Sequence, residues 1–449
     1  MKRRVLKIMV MVLAVAMLFV FAACSPEIIY VADFTGEGAS HAGGNTTPST
    51  PSTGGDDQPS TGGDTNPTTG DGGTYNLTVW CAEEDMEMIY GMLESYKALY
   101  PTNKYSFTVQ PQGEDTVTSA VTRDVESAAD VFSFANDQLG LLINGNALTQ
   151  IPSTYTAQIN KQIDVARIAA SYNNSYYAIP YSYENCFLYY NKSLLTDVST
   201  MEKILSANTG ANFNLGIDMN DGYYTTMFLY TAGVEIFGPQ GNDPSSVDLD
   251  NENAYKACQY IMDLHNQTKL VSIAKNDQSD SLRSGRVAAM ISGPHMIAQF
   301  KNALGSNFGV AMLPSIRFAG ESKDTQLVSF SGVKMYGVSR KTNRDSKLTA
   351  EAMRLAAYLA NSENQQIRLE EREFCPTDED LFDDALNSGI ETVEVVVNQS
   401  EYSKLKPGLI QMGKYWTPMG DFLVGVYNFN KPESTWSTEL KKIEDKLKE

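Results

Sequence analysis

The sequence predicts an α/β protein built as two lobes, and three observations carry that prediction. Its 449 residues exceed one ordinary domain and suffice for two sizeable cores. Residues 77–134 alternate strand-like and helix-like runs, the βαβ order that makes a parallel sheet with covering helices. The stretch 172–192, Y-N-N-S-Y-Y-A-I-P-Y-S-Y-E-N-C-F-L-Y-Y-N-K, then sets Pro180 and one acid, Glu184, between two strand-like runs. Proline cannot donate to a sheet ladder, so the first of these strands is expected to end at Pro180. The chain is expected to cross between lobes there.

Taken in order, the chain opens with Lys2, Arg3, Arg4 and Lys7, followed by an unbroken apolar run over 8–23. That run is shorter than the ~20 residues needed to span a membrane and reads as a secretory leader over 1–23. It ends Phe21-Ala22-Ala23-Cys24, which resembles the lipobox of bacterial lipoproteins. The resemblance implies lipidation of Cys24 and an attachment to the membrane through that lipid. Phe21 departs from the aliphatic residue usual at its place. Residues 24–74 hold this cysteine and a Gly/Ser/Thr/Pro-rich linker with a recurring S-T-G-G-D phrase, too poor in apolar residues to fold. As a flexible coil it reaches roughly 35–42 Å.

The folded body is expected from about residue 75. Residues 77–80 (L-T-V-W) read as a strand, and Glu83, Glu84 and Asp85 sit at a helix start, where acids suit the dipole. Ile89, Met92, Leu93, Tyr96 and Leu99 keep helical spacing, and Pro101 follows the helix end. Strands are expected at 107–109 and 131–134. Further on, Asp221-Gly222-Tyr223-Tyr224 leads into an apolar helix at 227–232, and 254–264 is a second helical pattern. Residues 283–291 read as a strand preceded by a turn, Pro294 opens the next helix, and 333–338 is a further strand. Ala352, Met353, Ala356 and Leu359 mark an amphipathic helix, and Trp436, Leu440, Ile443 and Leu447 a terminal one.

Charge and motifs narrow the function classes. The net charge is −19, and removing the basic leader makes the remainder more acidic still. Such a surface disfavours nucleic acid and anionic lipid as partners and suits a neutral or cationic ligand. No G-x-x-x-x-G-K-[ST], H-E-x-x-H or G-x-S-x-G is present. Cys81, Cys186, Cys258 and Cys375 are scattered with no C-x-x-C, so no zinc or redox motif is expected and they are read as small apolar residues. No cofactor or metal is expected.

Several phrases together resemble the extracellular solute-binding proteins of ABC importers, in the maltose/maltodextrin-binding group. They are L-T-V-W-C-A-E-E-D from Leu77, A-D-V-F-S-F-A-N-D-Q from Ala129, A-I-P-Y-S-Y-E-N from Ala178 and L-Y-Y-N-K-S-L-L from Leu188. R-V-A-A-M-I-S-G-P from Arg286, N-F-G-V-A-M-L-P from Asn307 and G-V-K-M-Y-G-V-S from Gly332 follow in the family's order. The resemblance covers about 75–430. It implies a two-lobed periplasmic-binding-protein-like fold with hinge crossovers and a central ligand cleft. Lobe one is then 75–182 with 328–376, and lobe two 183–327 with 377–449. It also implies a monomer on the extracellular face of the cell membrane (the periplasmic side in a Gram-negative cell) that captures maltose or a maltodextrin and delivers it to a permease, without being an enzyme. A binder of another oligosaccharide, or a secreted glycoside hydrolase using Glu184 and Asp221, stays open as an alternative.

A sugar offers apolar ring faces and a rim of hydroxyls, which aromatic plates and carboxylates or amides match. By resemblance, Glu84 or Asp85 is the acid after the first strand. Asp137 is the hydroxyl-binding acid after the third, with Gln138 where the family has Arg. Phe134, where Trp is usual, is either a stacking face or core. Glu184 falls on the crossover glutamate, and Asp221 with Tyr223 on the acidic and stacking pair ahead of a lobe-two helix. His295 stands where a Trp follows Gly-Pro, and Trp416 matches the last stacking aromatic. Most tyrosines of 172–192 are expected to pack in strands and hinge.

Overall fold

The structure, a computed structural model, describes residues 70–114 and 116–449. The expected leader, lipidation site Cys24 and linker up to residue 69 lie outside these residues. In chain order the strands of the two main sheets are β1 Thr74–Cys81, β2 Lys104–Pro111, β3 Val131–Ala135, β4 Ile179–Asn185, β5 Phe187–Asn191, β6 Phe213–Ile217, β7 Leu270–Ser272, β8 Val287–Ser292, β9 Phe308–Ala311, β10 Ser329–Val338 and β11 Ser403–Leu405. The helices that cover them and frame the site are α1 Met86–Leu99, α2 Val117–Arg123, α3 Leu139–Asn144, α4 Gly222–Ala232, α5 Glu252–His265, α6 Lys275–Arg283, α7 Ile297–Leu304, α8 Ser346–Leu359, α9 Glu391–Ser400, α10 Met412–Tyr427 and α11 Trp436–Lys448.

The first sheet runs β11-β10-β3-β1-β2, with β4 also on β10. β1 lies parallel to β2 and β3, as the βαβ alternation predicts. β10 enters antiparallel to β3 and β4 and parallel to β11. All ten of its residues are buried, which explains its continuous rather than alternating apolar character. The second sheet runs β9-β5-β8-β6-β7. α1 buries Ile89, Met92, Leu93 and Tyr96, and α11 buries Trp436, Leu440, Ile443 and Leu447, the stripes read from their spacing. The four cysteines within the described residues are free and buried.

Among the described residues the chain passes between the sheets three times. β4 ends at Asn185 in the first sheet, Cys186 is the link, and β5 opens the second. It returns from β9 to β10, and leaves again from β11 to α10, which packs on α4 and α5. Within 377–449, α10 and α11 therefore pack with the second sheet's helices, while Ser403–Leu405 pairs with β10 of the first. The expectation that a strand ends at Pro180 is corrected. β4 runs through Pro180, because its pairing with β10 shifts register between Lys334 and Met335 and so tolerates a residue without an N–H. Tyr181, Tyr183 and Tyr189 are buried, consistent with strand and hinge packing.

Candidate functional site

The first sheet's parallel strands and the second's each end in a polar turn facing the junction, the place where open α/β sheets bind ligands. After β1 comes the turn Glu83–Asp85, and after β3 the turn Asn136–Gln138. After β6 the chain reaches Asp221, whose carboxylate caps α4 by accepting from Tyr223 N at 2.8 Å. After β8 the turn Pro294–Met296 carries His295.

Two adjoining cavities occupy this junction. One, of about 900 Å³, is lined by Asp137 and Lys406 together with Asp221, Tyr223 and Trp416. Its aromatic wall is backed by buried Phe330 of β10. Tyr223 lies nearly parallel on that ring, 5.8 Å between centroids at 12°, and Trp416 meets it edge-on at 5.5 Å. The other, of about 490 Å³, is lined by Glu84, Glu114, Glu184, His295, Lys334 and Lys406 among others. Ala135 and Lys406 line both. A separate groove of about 610 Å³ around Met201, Tyr260 and Arg317 holds none of the candidate residues.

The electrostatics rest on two buried lysines. Lys334 Nζ pairs with Glu114 Oε2 at 2.8 Å and lies 3.9 Å from Glu184 Oε2, and Tyr181 donates to Glu114 Oε1 at 2.7 Å. Burial favours the neutral forms of Glu114 and Lys334. Their mutual attraction outweighs it, so the carboxyl pKa is held below and the ammonium pKa above its ordinary range. Lys406 Nζ lies 3.2 Å from Asp137 Oδ1 and 5.6 Å above the Tyr223 ring. Burial opposes its charge too, but Asp137 and then Glu184 hold its pKa above the usual lysine value. His295 is half-buried with Nε2 enclosed and unpartnered, and burial, then Lys275 and Lys334, push its pKa down to about 3. The ring is neutral at physiological pH.

A family model described as bacterial extracellular solute-binding protein matches residues 92–388. The chain belongs to that family. A galactooligosaccharide-binding protein of Bacillus subtilis is 26% identical over 76% of this chain and 82% of its own length. A maltodextrin-binding protein of the same organism is 24% identical over 72% and 78%. Among solved structures, a maltodextrin-binding protein from L. casei BL23, without ligand, superposes with a TM-score of 0.76 at 25% identity, over 84% of this chain and 99% of that one. A Thermus thermophilus maltotriose-binding protein, at 21% identity and a TM-score of 0.69, shares the fold. The two sheets and three crossovers are thus the two-lobed fold of periplasmic binding proteins.

In this solute-binding protein the predicted residues divide. Asp137, Gln138, Asp221, Tyr223 and Trp416 come together at the larger cavity, and Glu84, Glu184 and His295 at the smaller. Gln138 reaches the wall but its amide is engaged within the protein, accepting from Thr118 and donating to the Glu114 carbonyl. Asp85 and Phe134 line neither cavity. Asp85 is buried and paired with Arg372, so of the two candidates it is Glu84 that is exposed and lines the cleft, beside Glu83. Phe134 is fully buried against Phe132, so its stacking role is corrected to core. Glu184 and Asp221, the pair a hydrolase would need, line different cavities. Sequence reading missed Lys334, Lys406 and Glu114. Lys334 left one trace, a charge inside the otherwise buried run G-V-K-M-Y.

Proposed function

We propose that the protein captures a neutral oligosaccharide of the maltodextrin type in the cleft between its lobes and delivers it to the permease of an ABC importer. The observation that carries this reading is the larger cavity's make-up. Acid and ammonium from one side, Asp137 and Lys406, face an aromatic plate from the other, Tyr223 and Trp416. Aromatic faces take sugar C–H surfaces, while acceptor-only carboxylates and donor-only ammoniums take hydroxyls. Burial of 70–90% of a ligand's surface in a cleft is the usual condition for affinity. A ligand touching both lobes favours the closed arrangement over the open one and shifts the hinge toward it. Glu84, Glu184 and His295 extend the polar lining beyond the aromatic plate. Relatives named for maltooligosaccharide and for maltodextrin support this ligand class.

A second reading within the class is a galactooligosaccharide, favoured by the relative at 26% identity named for that ligand. Calorimetric titration with maltotriose, maltotetraose and β-1,4-galactotriose separates the two. Binding of the malto-series with no galactotriose heat supports the first, and the reverse overturns it in favour of the second. Release of reducing ends from maltotetraose by pure protein would instead assign hydrolysis. The cell-surface part of the proposal, a lipid on Cys24 after a cleaved leader, rests on the sequence Phe21-Ala22-Ala23-Cys24. Incorporation of a palmitate analogue that is lost in Cys24→Ser checks it.

A further inference from the structure

Lysines are almost never fully buried unless paired, because taking an ammonium out of water is costly. The cleft holds two, and they are placed differently. Lys334 pairs with Glu114, lies over the Phe374 ring at 4.7 Å and borders only the smaller cavity. Lys406 pairs with Asp137 Oδ1 at 3.2 Å and borders both cavities. An ammonium carries three donors.

Its position is fixed from several directions. Lys406 N donates to Ser331 O at 2.9 Å, and its carbonyl accepts from Asn136 Nδ2 at 2.6 Å. Asn136 Oδ1 in turn accepts from Val333 N at 3.0 Å, so one buried amide ties the end of β3, the middle of β10 and the third crossover together. The lysine side chain crosses β10 over Gly332. A Cβ there would fall 2.9 Å from Lys406 Cε and 3.1 Å from Glu184 Oε1. Glycine at 332 thus leaves the channel through which Lys406 lies between Asp137 and Glu184.

Resting on the oligosaccharide reading above, we propose that Lys406 is the specificity-determining residue of the cleft, donating to hydroxyl oxygens of the sugar unit that bridges the two cavities while Asp137 and Glu184 accept hydrogen bonds from those hydroxyls. Donor-only and acceptor-only groups placed side by side impose a direction on every hydroxyl between them. A sugar whose hydroxyls point elsewhere leaves buried charges unpaired and is rejected. Lys406 therefore discriminates between sugars whose hydroxyls point in different directions, beside whatever selection the ring faces meet at Tyr223 and Trp416.

The test titrates the full chain with maltotriose and with β-1,4-galactotriose by calorimetry, as wild type, Lys406→Gln, Lys406→Arg and Gly332→Ala, with unliganded Tm measured alongside. Lys406→Gln is expected to weaken the preferred trisaccharide at least tenfold and to bring the ratio of the two Kd values toward one. Gly332→Ala, which keeps the charge but displaces it, is expected to move affinity and ratio the same way, and Lys406→Arg to retain part of both. Should Lys406→Gln fail to fold, the other two variants give the same readout. An unchanged affinity, or a loss that is equal for both sugars and leaves the ratio as in wild type, overturns the role of Lys406 alone. A wild type that binds neither sugar overturns the oligosaccharide reading and this role with it.

Discussion

Tyr223 and Trp416 share a single support, the Phe330 ring, and that fixes which aromatic residues can serve a ligand. Trp416→Ala removes half of the plate while leaving Phe330 in the core. Affinity for the bound trisaccharide is expected to fall about two- to tenfold, in line with the ~0.5–1.5 kcal/mol of an aromatic contact. Phe134→Ala should do the opposite, with affinity of the folded protein unchanged and stability reduced by about 3–5 kcal/mol in urea denaturation, because that ring is wholly core. Comparable affinity losses in both would remove the distinction. His295 adds a pH signature. Its folded pKa of about 3 lies below the unfolded 6.5, so stability is fully present above pH 6.5 and is lost as pH falls toward 3. Lys275 and Lys334 add to that direction and Glu114 opposes it. Wild-type Tm should drop more steeply than that of His295→Gln between pH 7 and 4.5, and parallel curves would refute the assignment. The acids of the site and Tyr223 were legible because they fall in short phrases at or just after strand ends, and Trp416 because it matches the last stacking aromatic of the resemblance. Lys406 was not, because a lysine in a polar stretch reads as solvated until Asp137, distant in sequence, is seen beside it.

At the scale of elements, the amphipathic helices and the parallel strands showed in the sequence because their periods are set locally. α1, α5 and α11 match their expected stripes, and β1, β2 and β3 extend the expected runs. What stayed hidden depends on pairing. β4 passing through Pro180 requires the register shift on β10, and β11 joining the first sheet requires a partner far along the chain. Loop-to-helix approaches are equally invisible. Gly140, in α3, carries the clearest of them. A Cβ there would sit 2.7 Å from both Gly408 O and Ile410 N, backbone atoms of the third crossover that cannot swing aside as a side chain can. Gly140→Ala is therefore expected to cost about 1–3 kcal/mol in urea denaturation through overpacking. It should also weaken sugar binding, since the displaced segment carries Lys406. A variant of wild-type stability and affinity would show that α3 and the crossover yield independently.

At the scale of the whole molecule, the two walls of the larger cavity come from elements of different sheets. Asp137 follows a strand of the first sheet. Asp221 and Tyr223 follow one of the second, and Trp416 lies on α10, packed against α4 and α5. A sugar that satisfies both walls binds best when they are close, so its binding energy is partly a hinge energy, carried by only three crossovers. A ligand of equal affinity for open and closed forms would move nothing, however tightly it bound. Two readouts should therefore change together. At a sugar concentration of 100 times Kd the fold gains about 2.7 kcal/mol, and the radius of gyration in small-angle scattering should fall over the same titration. Tyr223→Ala leaves the acids in place but removes the second wall's plate, and should shrink both responses. A thermal shift without compaction would mean that the cleft is already set in its binding geometry, and the crossovers would then be struts rather than hinges.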